Sequence, residues 1–207
     1  MACISFRAIV LSAAVSILVL SAGRDVAAGQ SDIAHLDGQL GQLLLQKNAR
    51  IVVLIFGATD CPISNRYIPE ISRLEREFAS SYAAFWWVFP NPGDTAAVIR
   101  KHQAEYSVDL PTLVDSNQQL VRMAGVTVTP EAAVFSVKNG KMREVYHGRI
   151  DDRYIAFGRE RSAASHHDLE DAVRAALINK PVLAASGGPV GCSIVPVVSA
   201  QGIPLHP

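Results

Sequence analysis

The stretch Ile51-Val52-Val53-Leu54-Ile55-Phe56-Gly57-Ala58-Thr59-Asp60-Cys61-Pro62 decides how this chain folds. Its first half is apolar without interruption and rich in β-branched residues, the pattern of a strand covered on both faces. Gly57 to Asp60 breaks the run. Pro62 suits the first position of a helix, where its missing N–H would be unpaired anyway. Beyond it Ile68, Ile71, Leu74 and Phe78 recur at the spacing of one helix face, so a helix is predicted from Pro62 through Glu77. Cys61 then stands at the N-cap, where free N–H groups and the positive end of the helix dipole stabilise a thiolate. The competing reading is an inert, half-buried cysteine.

Upstream, Ile33–Leu45 reads as an amphipathic helical lead-in, with Leu36, Leu40, Leu43 and Leu44 near helical spacing. Downstream, Ala84–Phe89 is a second buried run, closed by Pro90-Asn91-Pro92-Gly93. Trp86 and Trp87 alternate across it, so one of them packs in the core. Thr95–Tyr106 reads as helix, Leu113-Val114 as a short strand and Asn117–Met123 as a short helix. Val126–Thr129 leads into Pro130. Glu131–Val137 and Met142–His147 form a hairpin around Asn139-Gly140, a pair that favours tight hairpin turns. Ser165–Leu177 closes the series as a helix, with Ser165 and Asp168 spaced as a capping box. Alternating strands and helices give a parallel sheet with right-handed crossovers, and the hairpin adds antiparallel strands at one side.

The chain has 207 residues, 19 Lys+Arg against 19 Asp+Glu, and 49% hydrophobic residues. That balance excludes a strongly basic nucleic-acid surface and an acidic disordered tail. Ala8–Gly23 is almost wholly apolar or small, preceded by Arg7 and followed by Val26-Ala27-Ala28. This pattern reads as a secretory signal peptide over residues 1–28, with an uncleaved membrane anchor as the alternative. Export is therefore expected, to a periplasmic or secreted location, with no stable membrane span after cleavage. Cys3 would leave with the signal, so the mature cysteines are Cys61 and Cys192. In an oxidising compartment such a pair is a disulfide or a redox couple.

A buried strand, Cys-Pro at a helix start and a distant Thr-Pro before a hairpin resemble the thioredoxin superfamily. Thr59-Asp60-Cys61-Pro62-Ile63-Ser64-Asn65-Arg66-Tyr67-Ile68-Pro69-Glu70 is similar to an exported bacterial redoxin branch of the alkyl hydroperoxide reductase/thiol-specific antioxidant family. Thr129-Pro130-Glu131, Gly148-Arg149-Ile150-Asp151 and Gly191-Cys192 follow in that branch's order, and the likeness runs from Ile51 to Ile194. It implies an α/β thioredoxin-like fold, a central mixed sheet flanked by helices. The redoxin domain would span 29–180, and an extended Gly/Pro-rich tail, 181–207, would carry Cys192. It also implies a thiol oxidoreductase in which the Cys61 thiolate attacks a disulfide or a peroxide. Pro130 would be cis, and with Thr129 would present backbone groups to an extended substrate. Cys192, flanked by flexible glycines, is either a resolving thiol or a free or intermolecular thiol. The partners implied are a disulfide-containing protein or a peroxide, together with an unidentified electron donor. No cofactor, metal or nucleic acid is implied.

The sequence departs from its relatives in informative places. Ser64 stands where a dithiol motif has its second cysteine, and Asp60 where a tryptophan is usual. Leu54 and Ala58 replace the Pro and Thr of a peroxiredoxin signature, so a peroxide-holding hydroxyl is missing or shifted to Thr59. Ser64 is either a donor to the Cys61 sulfur or a helix-surface serine. Arg66 either offsets Asp60 or is solvated. Two other functions stay open at this level. One is a copper or haem-pathway accessory binding through Cys61 and Cys192, with His147, His166 and His167 as candidate ligands. The other is a scaffold whose chemistry has eroded.

Overall fold

A computed structural model describes residues 33–35, 44, 48–79 and 81–197. The expected signal peptide lies outside the described residues. Among those described, no helix is long and apolar enough to cross a membrane.

In chain order the strands are β1 (Ile33–His35), β2 (Ile51–Phe56), β3 (Ala83–Phe89), β4 (Thr112–Val114), β5 (Val128–Thr129), β6 (Glu131–Lys138) and β7 (Lys141–Gly148). Then come β8 (Tyr154–Ala156), β9 (Arg159–Glu160) and β10 (Cys192–Ser193). The helices are α1 (Pro62–Phe78), α2 (Ala96–Tyr106), α3 (Gln119–Ala124) and α4 (Asp168–Leu177). The main sheet has the order β1-β4-β3-β2-β6-β7. Strands β2 and β3 lie side by side and parallel at its centre, while β6 runs antiparallel to β2 and β7 to β6. This is the thioredoxin-like arrangement, a central mixed sheet with helices on its faces.

The uninterrupted apolar runs have the reason expected of them. Ile51, Val53 and Ile55 face one core, with Ile68, Ile71 and Leu74 of α1 and Leu169 and Val173 of α4. Val52, Leu54 and Phe56 face a second core, with Leu44, Leu120, Val121 and Val126. Trp87 belongs to the first core and Trp86 to the second, so both tryptophans are buried rather than one. The hairpin turn has Asn139 and Gly140 both at positive φ, as a tight turn between twisted strands requires.

Several local expectations are corrected. Ile33–His35 is a strand, paired parallel with Thr112–Val114, not the start of a helical lead-in. The last helix begins at Asp168, and no Ser165 capping box forms. Instead the Ser165 and His166 amides donate to Asp152 Oδ1, at 2.6 and 3.0 Å. Asp168 meanwhile accepts from Arg149 Nε at 2.7 Å. The Gly148-Arg149-Ile150-Asp151 motif is thus a structural clamp. Gly148 takes φ 149°, Ile150 enters the core, and buried Asp151 accepts from the Tyr67 hydroxyl of α1.

The tail is extended, but through Val197 it does not hang free. Arg149 donates to the Ser186 hydroxyl, β10 pairs antiparallel with β5, and Ile194 is buried in the second core. Further on, the Val195 amide donates to Asn91, and Gln118 bonds the backbone of Val195 and Val197. The segment is a strap across one end of the sheet.

Candidate active site

Cys61 is the N-cap of α1, with extended backbone angles of −84° and 112°, and Pro62 opens the helix. The turn before it is held from below. The Gly57 amide donates to Val88 O at 2.8 Å, at the end of the neighbouring strand. Thr59 donates through both its amide and its hydroxyl to Asp94 Oδ1, at 3.1 and 2.5 Å. Its hydroxyl is therefore committed to Asp94. Asn65 Nδ2 donates to Thr59 O, while Asn65 Oδ1 bonds Nε2 of His102, whose ring lies against Trp87 and Tyr106. Burial pushes the Asp94 carboxyl above its ordinary range, and burial keeps His102 toward its neutral form. None of Asp94, Asn65 and His102 is marked by its sequence neighbours, since each is recruited across elements.

The Cys61 side chain is 1% exposed, and its thiol donates to Thr129 O at 3.1 Å. Thr129-Pro130 is a cis peptide, as the resemblance implied. Buried Glu131 fixes the loop before it, accepting the Thr127 and Val128 amides at 2.9 and 3.3 Å. The antiparallel ladder sets Cys192 opposite Thr129, and this brings the second cysteine to the first.

The two thiols are unequal. Burial raises the Cys61 pKa, but hydrogen bonds from the Cys192 thiol, the Ser64 amide and hydroxyl, and the Cys192 backbone outweigh it, so the net shift is downward. Ser64 is buried, and its hydroxyl has no hydrogen-bond partner in this structure, which leaves it available to the sulfur. It is not a surface serine. Cys192 is pushed up to about 12, first by burial, then by its hydrogen bond to Cys61, the Cys61 charge and Asp60. At neutral pH Cys61 is the better thiolate and Cys192 keeps its proton. Both are free thiols in this structure.

Arg66 does not pair with Asp60. It pairs with Glu160 at 2.8 Å, on the β8–β9 hairpin. That hairpin, unforeseen from sequence, closes a groove of about 340 Å³ beside the helix start, lined by Pro62, Ile63, Arg66, Tyr154 and Phe157. Phe157, 66% exposed, stands at its rim. The histidines do not join the cysteines. Among the described residues the metal-capable group is Glu70, His167 and Glu170, and Arg73 already bridges its two carboxylates. His147 bonds Glu144 at 2.8 Å.

A thioredoxin-like sheet carrying a cysteine at a helix start, facing a cis Thr-Pro loop, defines the redoxin class. Residues 31–146, more than half of the chain, match the AhpC/TSA family, and the chain belongs to that family. No curated protein matches it. Among solved structures, a hypothetical protein from Sinorhizobium meliloti 1021 is 24% identical, with a TM-score of 0.60, covering 72% of this chain and 80% of that one. An uncharacterized conserved protein from Geobacillus kaustophilus is 23% identical, with a TM-score of 0.63, covering 74% of this chain and 81% of that one. Both share the fold.

Proposed function

We propose that this protein is an exported thiol-dependent oxidoreductase, with Cys61 as nucleophile and Cys192 as resolving thiol. The observation that carries the reading is Cys61 at a helix N-terminus, its thiol on the Thr129 carbonyl, with the β5–β10 ladder setting Cys192 opposite that same Thr129. In the first step the Cys61 thiolate attacks one sulfur of a disulfide, the S–S bond breaks, and the other sulfur leaves as a thiolate. With a hydroperoxide the O–O bond breaks instead, Cys61 becomes a sulfenic acid, and the alkoxide or hydroxide takes up a proton. In the second step Cys192 loses its proton and attacks the Cys61 sulfur, expelling the bound thiol or water. The Cys61–Cys192 disulfide that results is reduced by two electrons from an external dithiol.

Once Cys61 is capped, its negative charge no longer holds up the Cys192 pKa, so the second thiol becomes easier to ionise at the stage that needs it. Thr129 and Pro130 border the reacting sulfur, Ser64 supplies a donor to it, and Arg66 lines the adjacent groove. Export rests on the Val26-Ala27-Ala28 pattern, with the mature chain beginning at Gly29.

The test is direct. Reduced protein is treated with one equivalent of hydrogen peroxide or of a small disulfide, and the products are mapped by mass spectrometry without reduction. A Cys61–Cys192 disulfide is expected, with Cys192→Ser trapping the adduct on Cys61. Absence of any adduct at Cys61 would overturn the assignment.

A further inference from the structure

The β5 edge that faces Cys61 is occupied by the chain itself. Cys192 lies opposite Thr129 and Ser193 opposite Val128, and the Ile194 amide donates to Thr127 O at 3.1 Å. Approach is close at Gly191, where a Cβ would lie 2.2 Å from the Thr129 carbonyl oxygen. No residue with a side chain fits there without moving the ladder. Two residues past the cysteine, Ile194 is 6% exposed and packs in the second core. That register sets Cys192 opposite Thr129, whose carbonyl accepts from the Cys61 thiol at 3.1 Å. A sulfur delivered on an extended strand, a residue without a side chain before it and an aliphatic anchor after it together define a binding register.

We infer that Gly191–Ile194 is a tethered occupant of a polypeptide-docking edge, and that the partner fitting this edge is an extended segment of pattern Gly-Cys-polar-aliphatic. The inference rests on the reading of Cys61 as a reactive thiol and adds the selection rule of its partner. Gly191 and Ile194 determine that rule: the first by leaving the Thr129 carbonyl uncovered, the second by filling the apolar seat. The strap acts as an intramolecular competitor, held at high effective concentration by its tether, so an outside segment docks only when the strap lifts.

The test uses full-length protein with Cys192→Ser, so that Cys61 is the thiol facing the edge. Peptides carrying Gly-Cys-Ser-Ile, Val-Cys-Ser-Ile or Gly-Cys-Ser-Asp are activated as mixed disulfides with 2-thiopyridine. The Cys61 thiolate bonds to the peptide sulfur, the peptide S–S bond breaks, and 2-thiopyridone leaves with the electron pair and is read by absorbance. 2,2′-Dithiodipyridine reports the intrinsic reactivity of Cys61. The same rates are measured after adding Gly191→Val, which excludes the strap, or Ile194→Ser, which unseats it without added bulk. Hydrogen exchange over residues 190–197 shows which variant has released the strap.

Strap release is expected to speed the Gly-Cys-Ser-Ile peptide about tenfold or more, the gain of removing a tethered competitor. The Val and Asp peptides should trail it by about tenfold, the cost of one misfit anchor. Equal rates for the three peptides, with normal dithiodipyridine reactivity, overturn this inference alone. A Cys61 that reacts with no reagent in any variant overturns the oxidoreductase reading as well.

Discussion

The Cys61 thiol hydrogen points at the carbonyl oxygen of Thr129, 3.1 Å away, on the residue that Cys192 faces across the β5–β10 ladder. Thr129 therefore touches both cysteine residues, its carbonyl at the Cys61 thiol and its hydroxyl donating to the Cys192 carbonyl at 3.4 Å. The Thr129 carbonyl accepts from the neutral thiol and repels the thiolate, so it opposes the donors that acidify Cys61. Those donors come from two sides, Ser64 on α1 and Cys192 on the strap.

That balance predicts the pH profile of alkylation. The Cys61 midpoint should fall below the ~8.5 of a free thiol. Thiolate is the reactive form, so a lowered pKa moves the rising limb of the rate to lower pH. Cys192→Ser retains a hydroxyl donor and should stay close to wild type at the Cys61 peptide. Cys192→Ala removes the strongest donor and should raise the midpoint, as should Ser64→Ala. Rates of iodoacetamide labelling between pH 5 and 10, read on the Cys61 peptide, check this; a Cys192→Ala midpoint equal to wild type would contradict it.

Gly57 predicts a stability effect next to the site. A Cβ at this position would lie 2.3 Å from Trp87 Nε1, an indole nitrogen that is buried and has no hydrogen-bond partner. Trp87 is among the largest fully buried side chains, so it cannot swing aside. Gly57→Ala should cost about 1–3 kcal/mol by overpacking. For a chain of this size each kcal/mol lowers Tm by about 2–4 °C. Trp87→Phe makes room, so the double variant should be less unstable than the two single losses added together. Thermal melts of the four proteins close the cycle.

Residues whose role is set by their own neighbours were legible in the sequence. Ile51–Phe56 and Ala84–Phe89 announce themselves because both faces are covered, so every position is apolar. Cys61-Pro62 marks a helix start and Asn139-Gly140 a hairpin turn because these residues act through their own backbone. What escaped depends on partners far along the chain. Ile33–His35 becomes a strand only because β4 offers it an edge. Asp168 begins α4 because Arg149 and Asp152 occupy the groups that a Ser165 cap would use. Asp94 and His102 hold the cysteine turn through contacts 35 and 37 positions apart, His102 by way of Asn65. Gly191 reads as a flexible hinge until the Thr129 carbonyl is placed beside it.

Glu131 gives a pH signature in stability. Its carboxyl is 3% exposed, and burial raises its pKa although the Thr127 and Val128 amides and His147 oppose that shift. A carboxyl with a raised folded pKa binds its proton more tightly when folded. Its contribution is thus fully present below the unfolded pKa and is lost as pH rises through the folded value. Glu131→Gln keeps an acceptor for the two amides and has no proton to lose. Relative to wild type, the variant should gain stability as pH rises above the carboxylate range, then level off. Urea unfolding of both proteins from pH 4 to 8 tests it; a gap that widens toward acid would have the wrong sign.

Closing the Cys61–Cys192 disulfide should raise stability substantially, because it restrains a loop that spans most of the folded domain. Chain entropy puts the gain at about 4–5 kcal/mol for a loop this long. Engineered crosslinks often return less, since the native fold must distort to admit them. Here β10 already pairs with β5, and Thr129, opposite Cys192, already holds the Cys61 thiol, so little distortion is needed. With about 2–4 °C per kcal/mol, Tm should rise by roughly 10–20 °C on oxidation. The loss of the donors that hold the Cys61 thiolate works in the other direction and pulls the gain toward the lower end. By linkage, the folded disulfide is harder to reduce than the same pair in the unfolded chain, by roughly 100 mV at about 30 mV per 1.4 kcal/mol. Calorimetry of reduced and oxidised protein measures the first quantity, and equilibration with dithiothreitol in native buffer and in urea measures the second. Both shifts should vanish in Cys192→Ser, and a reduced form that melts at the temperature of the oxidised one would show that the strap pays out no constraint on the unfolded chain.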